Sequence, residues 1–238
     1  MIPRWVPHPL LLMMAGSLFA VMIACKAHGD AGTACDVQHD TLQLALPRGN
    51  KTTLEGALRQ RRSARNFSTQ PLSLEEISQI LWAAQGVTDP PSGKRTAPSS
   101  GATYPITLYL SAHNIDSLEP GLYRYRSECH QLQLVAAGDY RRRIHAIALR
   151  QQWALEASAV IIFSGNSDKV ARKYKNHSRD SVLLEAGHIS QNIYLQCTAL
   201  DMGVVAIGGF SRTEMHALLG LPQEEEVVYL NLIGHHRR

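Results

Sequence analysis

The sequence has no C-x-x-C pair among its 4 cysteines and no H-E-x-x-H among its 11 histidines, so a zinc centre has no support in it. It also lacks a surplus of charge of one sign. The 24 Lys and Arg stand against 20 Asp and Glu, a formal net charge of +4. A balance so small and so evenly spread argues against a nucleic-acid binder. Neither G-x-x-x-x-G-K-[ST] nor G-x-G-x-x-G occurs, which removes the common phosphate-loop and dinucleotide fingerprints. There is no internal repeat. With 17 Gly and 11 Pro in 238 residues, collagen-like and low-complexity readings fail. A hydrophobic content of 45% with 18% charge is that of a globular chain forming one large or two small domains.

Only one long apolar run is present. Residues 10–24 carry no charge and are preceded by Arg4 and the amino terminus, the plan of a secretory signal. A spanning helix wants about 20 apolar residues, so this run is short for an anchor. Met22-Ile23-Ala24-Cys25 also resembles a bacterial lipoprotein box, with Met22 where Leu is usual. A cleaved signal over residues 1–25, a lipid on Cys25 and a retained anchor are three readings that stay open. All three place the protein outside the cytoplasm or on a membrane. Residues 26–51, polar and without period, read as a linker. Cys197 falls in an apolar helical stretch and reads as a core residue.

The folded domain is expected over residues 52–238. Thr52-x-x-Glu55 and Ser73-x-x-Glu76 are capping-box patterns that open two helices, the second carrying Ile77, Ile80, Leu81 and Ala84 at helical spacing until Gly86. Val87 to Pro105 reads as one long loop. Strands are expected at Ile106–Ser111, Leu122–Tyr125, Leu132–Val135, Ala157–Phe163, Val204–Ile207 and Val227–Ile233. Helices are expected from Asp139 to Trp153, from Ser181 to Met202, and after Ser211-x-x-Glu214. Strands and helices do not alternate, so the class is α+β, with a mixed or antiparallel central sheet flanked by helices.

Four segments have the residue types for chemistry. Arg61-Arg62-Ser63-x-Arg65 offers three guanidinium forks and a hydroxyl, suited to a phosphate; the same residues also make an ordinary basic helix end. Pro98-Ser99-Ser100-Gly101 either lets backbone amides approach a planar or anionic ligand or simply turns the chain. Gly208-Gly209 either presents amides to a ligand ring or tightens a strand-to-helix connection. Lys173-Tyr174 sits in a basic stretch, Ala171 to Lys175. Glu185 and His188, three apart, share a helix face, with a packed structural role expected for the histidine.

In their order and spacing these segments resemble the FMN-dependent nitroreductase family: R-R-S-x-R followed by Phe67, P-S-S-G-A-x-Y-P, the long helix with Gln191-Asn192, and G-G-F. The resemblance runs from about Thr52 to Gly234. It is nearest to the branch that oxidises thiazolines and oxazolines in peptides, through Lys173-Tyr174, Arg179 and Glu185-Ala186-Gly187-His188-x-x-Gln191-Asn192. It implies an intertwined homodimer with FMN at the interface. Arg61, Arg62, Ser63 and Arg65 would hold the phosphate and ribityl chain, Pro98, Ser99 and Ser100 would approach from the partner subunit, and Gly208 and Gly209 would present amides near flavin N5.

Lys173 and Tyr174 would be the catalytic pair, moving a proton while hydride passes through N5 in a ping-pong cycle. The implied substrate is a small molecule or a peptide, with NAD(P)H binding only transiently, no nucleic acid and no metal. A flavin-binding interaction domain without turnover is the alternative. Many members of the family carry an arm past the last strand with a basic phosphate contact; here Arg237 or Arg238 would have to supply it.

Overall fold

The computed structural model describes residues 40–237 other than Asn50 and His177. The apolar run, Cys25, most of the linker and Arg238 lie outside the described residues. In chain order the elements are β1 (Thr41–Gln43), α1 (Leu54–Gln60), α2 (Leu74–Gln85), β2 (Val87–Asp89), β3 (Lys94–Arg95), β4 (Ile106–Ala112), β5 (Gly121–Arg126) and β6 (Gln131–Ala137). There follow α3 (Arg141–Ile147), α4 (Trp153–Glu156), β7 (Ala159–Asn166), α5 (Ser167–Ala171), α6 (Ser178–Ala199), β8 (Met202–Ile207), α7 (Arg212–Leu219) and β9 (Glu225–His235).

Seven strands form one sheet in the order β1-β6-β5-β4-β7-β9-β8, and every pairing in it is antiparallel. The central strand β7 is buried along its whole length because both faces of the sheet are covered. Ile161 and Phe163 point toward α2 and α6, whereas Val160 and Ile162 join a second core with Ile144 of α3 and Met215 of α7. The result is a three-layer α+β domain. Period-two alternation along β7 thus serves two helical layers at once.

Helix α6 is 22 residues long, about 33 Å at 1.5 Å per residue. Its buried positions, Val182, Glu185, Ala186, Ile189, Ser190, Ile193, Tyr194 and Cys197, repeat at three and four and so form one stripe. Val182, Ile189 and Ile193 are wholly buried, and each contributes roughly 1.5–3 kcal/mol. Among the described residues no helix is long and apolar enough to cross a membrane. Cys197 is a free, buried core residue, as its surroundings in the sequence imply.

Several expectations are corrected. Thr53, not Thr52, caps α1, its side chain accepting from the Gly56 amide at 3.1 Å. The Ser73 box forms as read, with the Glu76 amide and carboxylate both engaged. Ser211 occupies the cap position of α7 but its side chain makes no capping bond. The helix expected from Asp139 to Trp153 ends at Ile147, because Leu149 and Arg150 take left-handed φ of 55° and 56° and stop α3, and a separate short helix begins only at Trp153. The long loop holds a small hairpin, β2–β3, and a single 3₁₀ turn at Ser100–Ala102. The linker gives up Thr41–Gln43 to the sheet edge beside β6, and Leu44 behind it is buried in the core. Packing ignores the polarity of the flanking sequence there.

His113, at the end of β4, is buried with Nε2 2.9 Å from Ser111 Oγ and Nδ1 3.3 Å from the Ala157 carbonyl. Burial first, and then the Arg141 charge, lower its pKa from 6.5 to about 4. Between those values the unfolded chain binds the extra proton, so stability is full above pH 6.5 and falls as pH drops toward 4. Denaturant titrations at pH 7.5 and 4.5 are expected to differ by on the order of 3 kcal/mol more in the wild type than in His113→Gln.

Candidate functional site

The arginine segment leaves α1 and crosses the end of the β8–β9 pair. The Ala64 amide donates to the Val204 carbonyl at 2.9 Å and the Ser68 amide to the His235 carbonyl at 2.9 Å. Glycines make this crossing close. A Cβ on Gly203 would lie 2.9 Å from Ala64 Cβ, and one on Gly234 would lie 2.9 Å from Phe67 Cδ1. Phe67 is buried there, which fixes the backbone on which the arginines are carried.

Arg61 stacks over the ring of Tyr194 at 5.3 Å, and Arg65 over Trp153 at 5.8 Å. Ser63 Oγ is 3.0 Å from Tyr194 Oη, which also accepts the Ala206 amide at 2.9 Å. Arg62 behaves differently. Its guanidinium folds back on the carbonyls of Arg59 and Arg61 at 3.1 and 2.7 Å, so it closes the end of α1. Among the described residues none of Arg61, Arg62 and Arg65 pairs with a carboxylate, whereas Arg95, Arg179 and Arg237 each do. Arg237 is committed to Glu156 at 3.0 Å and to the Phe67 carbonyl at 3.2 Å, which removes it as a spare phosphate contact.

Gly208 and Gly209 follow β8, two residues beyond Ala206, and both are exposed. The Gly209 carbonyl is held by Gln151 Nε2 at 3.0 Å. A Cβ on either glycine would meet nothing nearer than 3.8 Å, so their backbone is open to a ligand.

The second assembly is built on the loop. Ser99 Oγ accepts the Tyr104 amide at 2.9 Å, and Gly101, Ala102 and Tyr104 take φ of 57°, 55° and 43°. A run of left-handed residues of this kind persists only where neighbours enforce it. Those neighbours are Lys173 and Tyr174. Lys173 Nζ donates to the Gly101 carbonyl at 2.8 Å, and a Cβ on Gly101 would lie 2.7 Å from Tyr174 Oη. Both side chains lie beyond the end of α5 and are exposed, so the pair is not part of a basic helix. Arg95 stacks on Tyr104 at 4.4 Å.

Glu185 of α6 lies behind this loop. Both its oxygens are buried and neither has a hydrogen-bond partner among the described residues. Burial raises its pKa from 4.5 to about 7; Ser99, the charges of Arg95 and Lys169, and the Ile106 backbone pull it partly back without reaching bonding geometry. His188 does not join it and is exposed, against the packed role expected for it. Glu185 and Tyr194 are nine residues apart on one helix, about 13 Å along its axis, so α6 carries the two assemblies at successive stations.

A nitroreductase family model matches residues 58–235. The chain belongs to the nitroreductase family. It is 35% identical over 184 residues to the nitroreductase-type protein MJ1384 of Methanocaldococcus jannaschii, covering 77% of this chain and 92% of that one. Its fold is similar to that of a nitroreductase-type protein from Ralstonia eutropha JMP134, with a TM-score of 0.73, 28% identity, and 86% and 92% of the two chains covered. It also shares a fold with the Escherichia coli microcin synthetase McbBCD complex with truncated pro-MccB17 bound, at a TM-score of 0.66 and 19% identity, over 96% of this chain and 85% of that one. Members of this family are generally oxidoreductases and typically bind FMN.

Two residues of this nitroreductase-fold site, Tyr194 and Arg95, escape a motif search. Their signal was available only in part. Tyr194 and Glu185, together with Ser190, interrupt a mostly apolar stripe with polar atoms. Because the folded state holds a proton on Glu185 up to about pH 7 and the unfolded chain only to 4.5, stability falls as pH rises through that interval. Glu185→Gln is expected to gain on the order of 3 kcal/mol relative to wild type between pH 5 and pH 8, measured by chemical unfolding.

Proposed function

We propose that this protein is an FMN-dependent oxidoreductase that works as a homodimer and is exported or tethered to a membrane. The observation that carries the flavin reading is the donor set around Ser63. Arg61 and Arg65 present guanidinium groups held by aromatic rings and, among the described residues, lacking carboxylate partners, beside an exposed hydroxyl, which suits a phosphate and the hydroxyls next to it. The open backbone at Gly208 and Gly209 lies at the end of the strand that Tyr194 ties to Ser63. The residues present therefore fit FMN. Arg62 would contribute charge to this group while its fork caps the helix.

When bound, FMN supplies a two-electron acceptor for hydride at N5. The chain's own residues do the rest. Arg61, Ser63 and Arg65 hold the phosphate end, and Gly208 and Gly209 offer amide donors where negative charge develops. Lys173 and Tyr174 hold or move a proton beside Ser99 and Ser100, and Pro98 opens that loop. The homodimer reading is supported by the separation of the two assemblies along α6: a second copy would set the loop of one subunit against the arginines of the other. Export is supported by the run at residues 10–24 ahead of Cys25, and by Cys129, which is disulfide-bonded as suits an oxidising compartment.

The purified protein mixed with FMN is expected to turn yellow and to quench flavin fluorescence on titration. Arg61→Ala and Arg65→Ala are each expected to weaken binding about tenfold or more, since a charged hydrogen bond is worth roughly 1.5–3 kcal/mol. A colourless protein would sink the reading.

A second reading, oxidation of azolines in a peptide, rests on Lys173 and Tyr174 packing against Gly101. Lys173→Ala and Tyr174→Phe are expected to lower turnover of an azoline peptide by about a hundredfold or more while FMN stays bound. Unchanged turnover in both variants would remove this reading and leave a small-molecule substrate.

A further inference from the structure

Tyr194 touches more of the proposed phosphate site than any of the residues picked out by sequence, yet it faces no open space. It is 9% exposed and lies on the inner stripe of α6. Its ring is under Arg61 at 5.3 Å, and its hydroxyl lies between the Ala206 amide at 2.9 Å and Ser63 Oγ at 3.0 Å. Ala206 belongs to β8, the edge strand of the sheet, so its amide is free to turn toward the helix.

The direction of the hydrogen bond between Tyr194 and Ser63 follows from counting protons. A phenol has one proton to give. The Ala206 N–H can only donate, so Tyr194 Oη accepts it. If Ser63 also donated to Tyr194, the phenol proton would be buried with no acceptor among the described residues, the costly arrangement for a buried polar group. Tyr194 therefore donates to Ser63 Oγ. The Ser63 side chain is exposed, and its own proton is then directed away from the protein.

We propose that Tyr194 is a positioning residue that sets the direction of the chain Ala206 N–H to Tyr194 O–H to Ser63 O–H, so that Ser63 donates to an anionic phosphate ester while the phenol ring holds Arg61 beside it. The inference rests on the flavin reading above and names the part of the ligand concerned. It makes the phosphate, not the isoalloxazine ring, the group that Tyr194 serves. Hydrogen bonds passed along such a chain also polarise one another, which strengthens the terminal donor.

The test compares FMN with riboflavin, which lacks the phosphate, by fluorescence titration of the full chain. In Tyr194→Phe, which keeps the ring and loses the hydroxyl, the Kd for FMN is expected to rise at least about tenfold while that for riboflavin changes less than about twofold. Ser63→Ala is expected to lose the same factor. The double variant should lose no more than either single one, because both break one chain. Arg61 is the contrast: Arg61→Ala on top of Tyr194→Phe should weaken FMN further.

Equal loss of FMN and riboflavin in Tyr194→Phe would mean a merely structural tyrosine, and an unchanged FMN preference would overturn the inference outright. So would losses that multiply in the double variant. Circular dichroism and thermal melting report whether Tyr194→Phe folds. If it does not, the exposed Ser63 carries the test: Ser63→Thr should keep the preference for FMN and Ser63→Ala should lose it, and an unchanged preference in Ser63→Ala overturns the proposal. A wild type that binds neither flavin fails the underlying reading, a result distinct from one that binds FMN with Tyr194 irrelevant.

Discussion

The packing of the inner stripe of α6 on the sheet is the interaction on which the rest of the structure depends. Val182, Ile189 and Ile193 bury that stripe against β7 and its neighbours, and this fixes the rotation of the helix. Once the rotation is fixed, Glu185 and Tyr194, polar members of the stripe along with Ser190, have nowhere to go but inward. Glu185 is carried under the Ser99 loop and Tyr194 under the Ser63 segment. The spacing between the two halves of the candidate site is thus set by a helix rise and not by any loop.

The electrostatics of the two halves are opposite in kind. At the Ser63 end, Arg61 and Arg65 lie on aromatic faces and lack acidic partners among the described residues, a surface that gains by meeting an anion. At the Ser99 end, a carboxyl is buried beside Arg95, Lys169 and Ser99 and stays partly protonated near neutrality. One end suits binding of charge and the other suits holding a proton. Placed in different subunits of a pair, they would meet around one ligand.

Much of the fold was legible in the sequence because it is written in local terms. Ser73 with Glu76 announces α2, the unbroken apolar run of β7 announces a strand buried on both faces, and the Gln191-Asn192 helix announces itself by its period. The misreadings have physical causes. Thr52 and Thr53 are equivalent cap acceptors in sequence, and only the path of the chain chose the second. Left-handed residues at Leu149 and Arg150 end an expected helix six residues early, although neither is a glycine. Thr41–Gln43 joined the sheet because β6 had an open edge, which the linker's own composition does not show.

For the candidate site, the residue types were visible and their employment was not. Three arginines around Ser63 look alike in sequence. Tertiary structure gave Arg62 to the end of α1 and laid Arg61 and Arg65 over aromatic rings, with no carboxylate partner among the described residues. It likewise spent Arg237 on Glu156. It also brought Lys173 and Tyr174 against Gly101, more than 70 residues away, since a side chain at position 101 would occupy their place. By itself the sequence determined the α+β class, the six long strands, helices α2 and α6 and the family, all properties of local period and motif order. Only the tertiary structure decided which charges stay unpaired and which polar groups share one hydrogen-bond chain, because those depend on distances between residues that the chain keeps far apart.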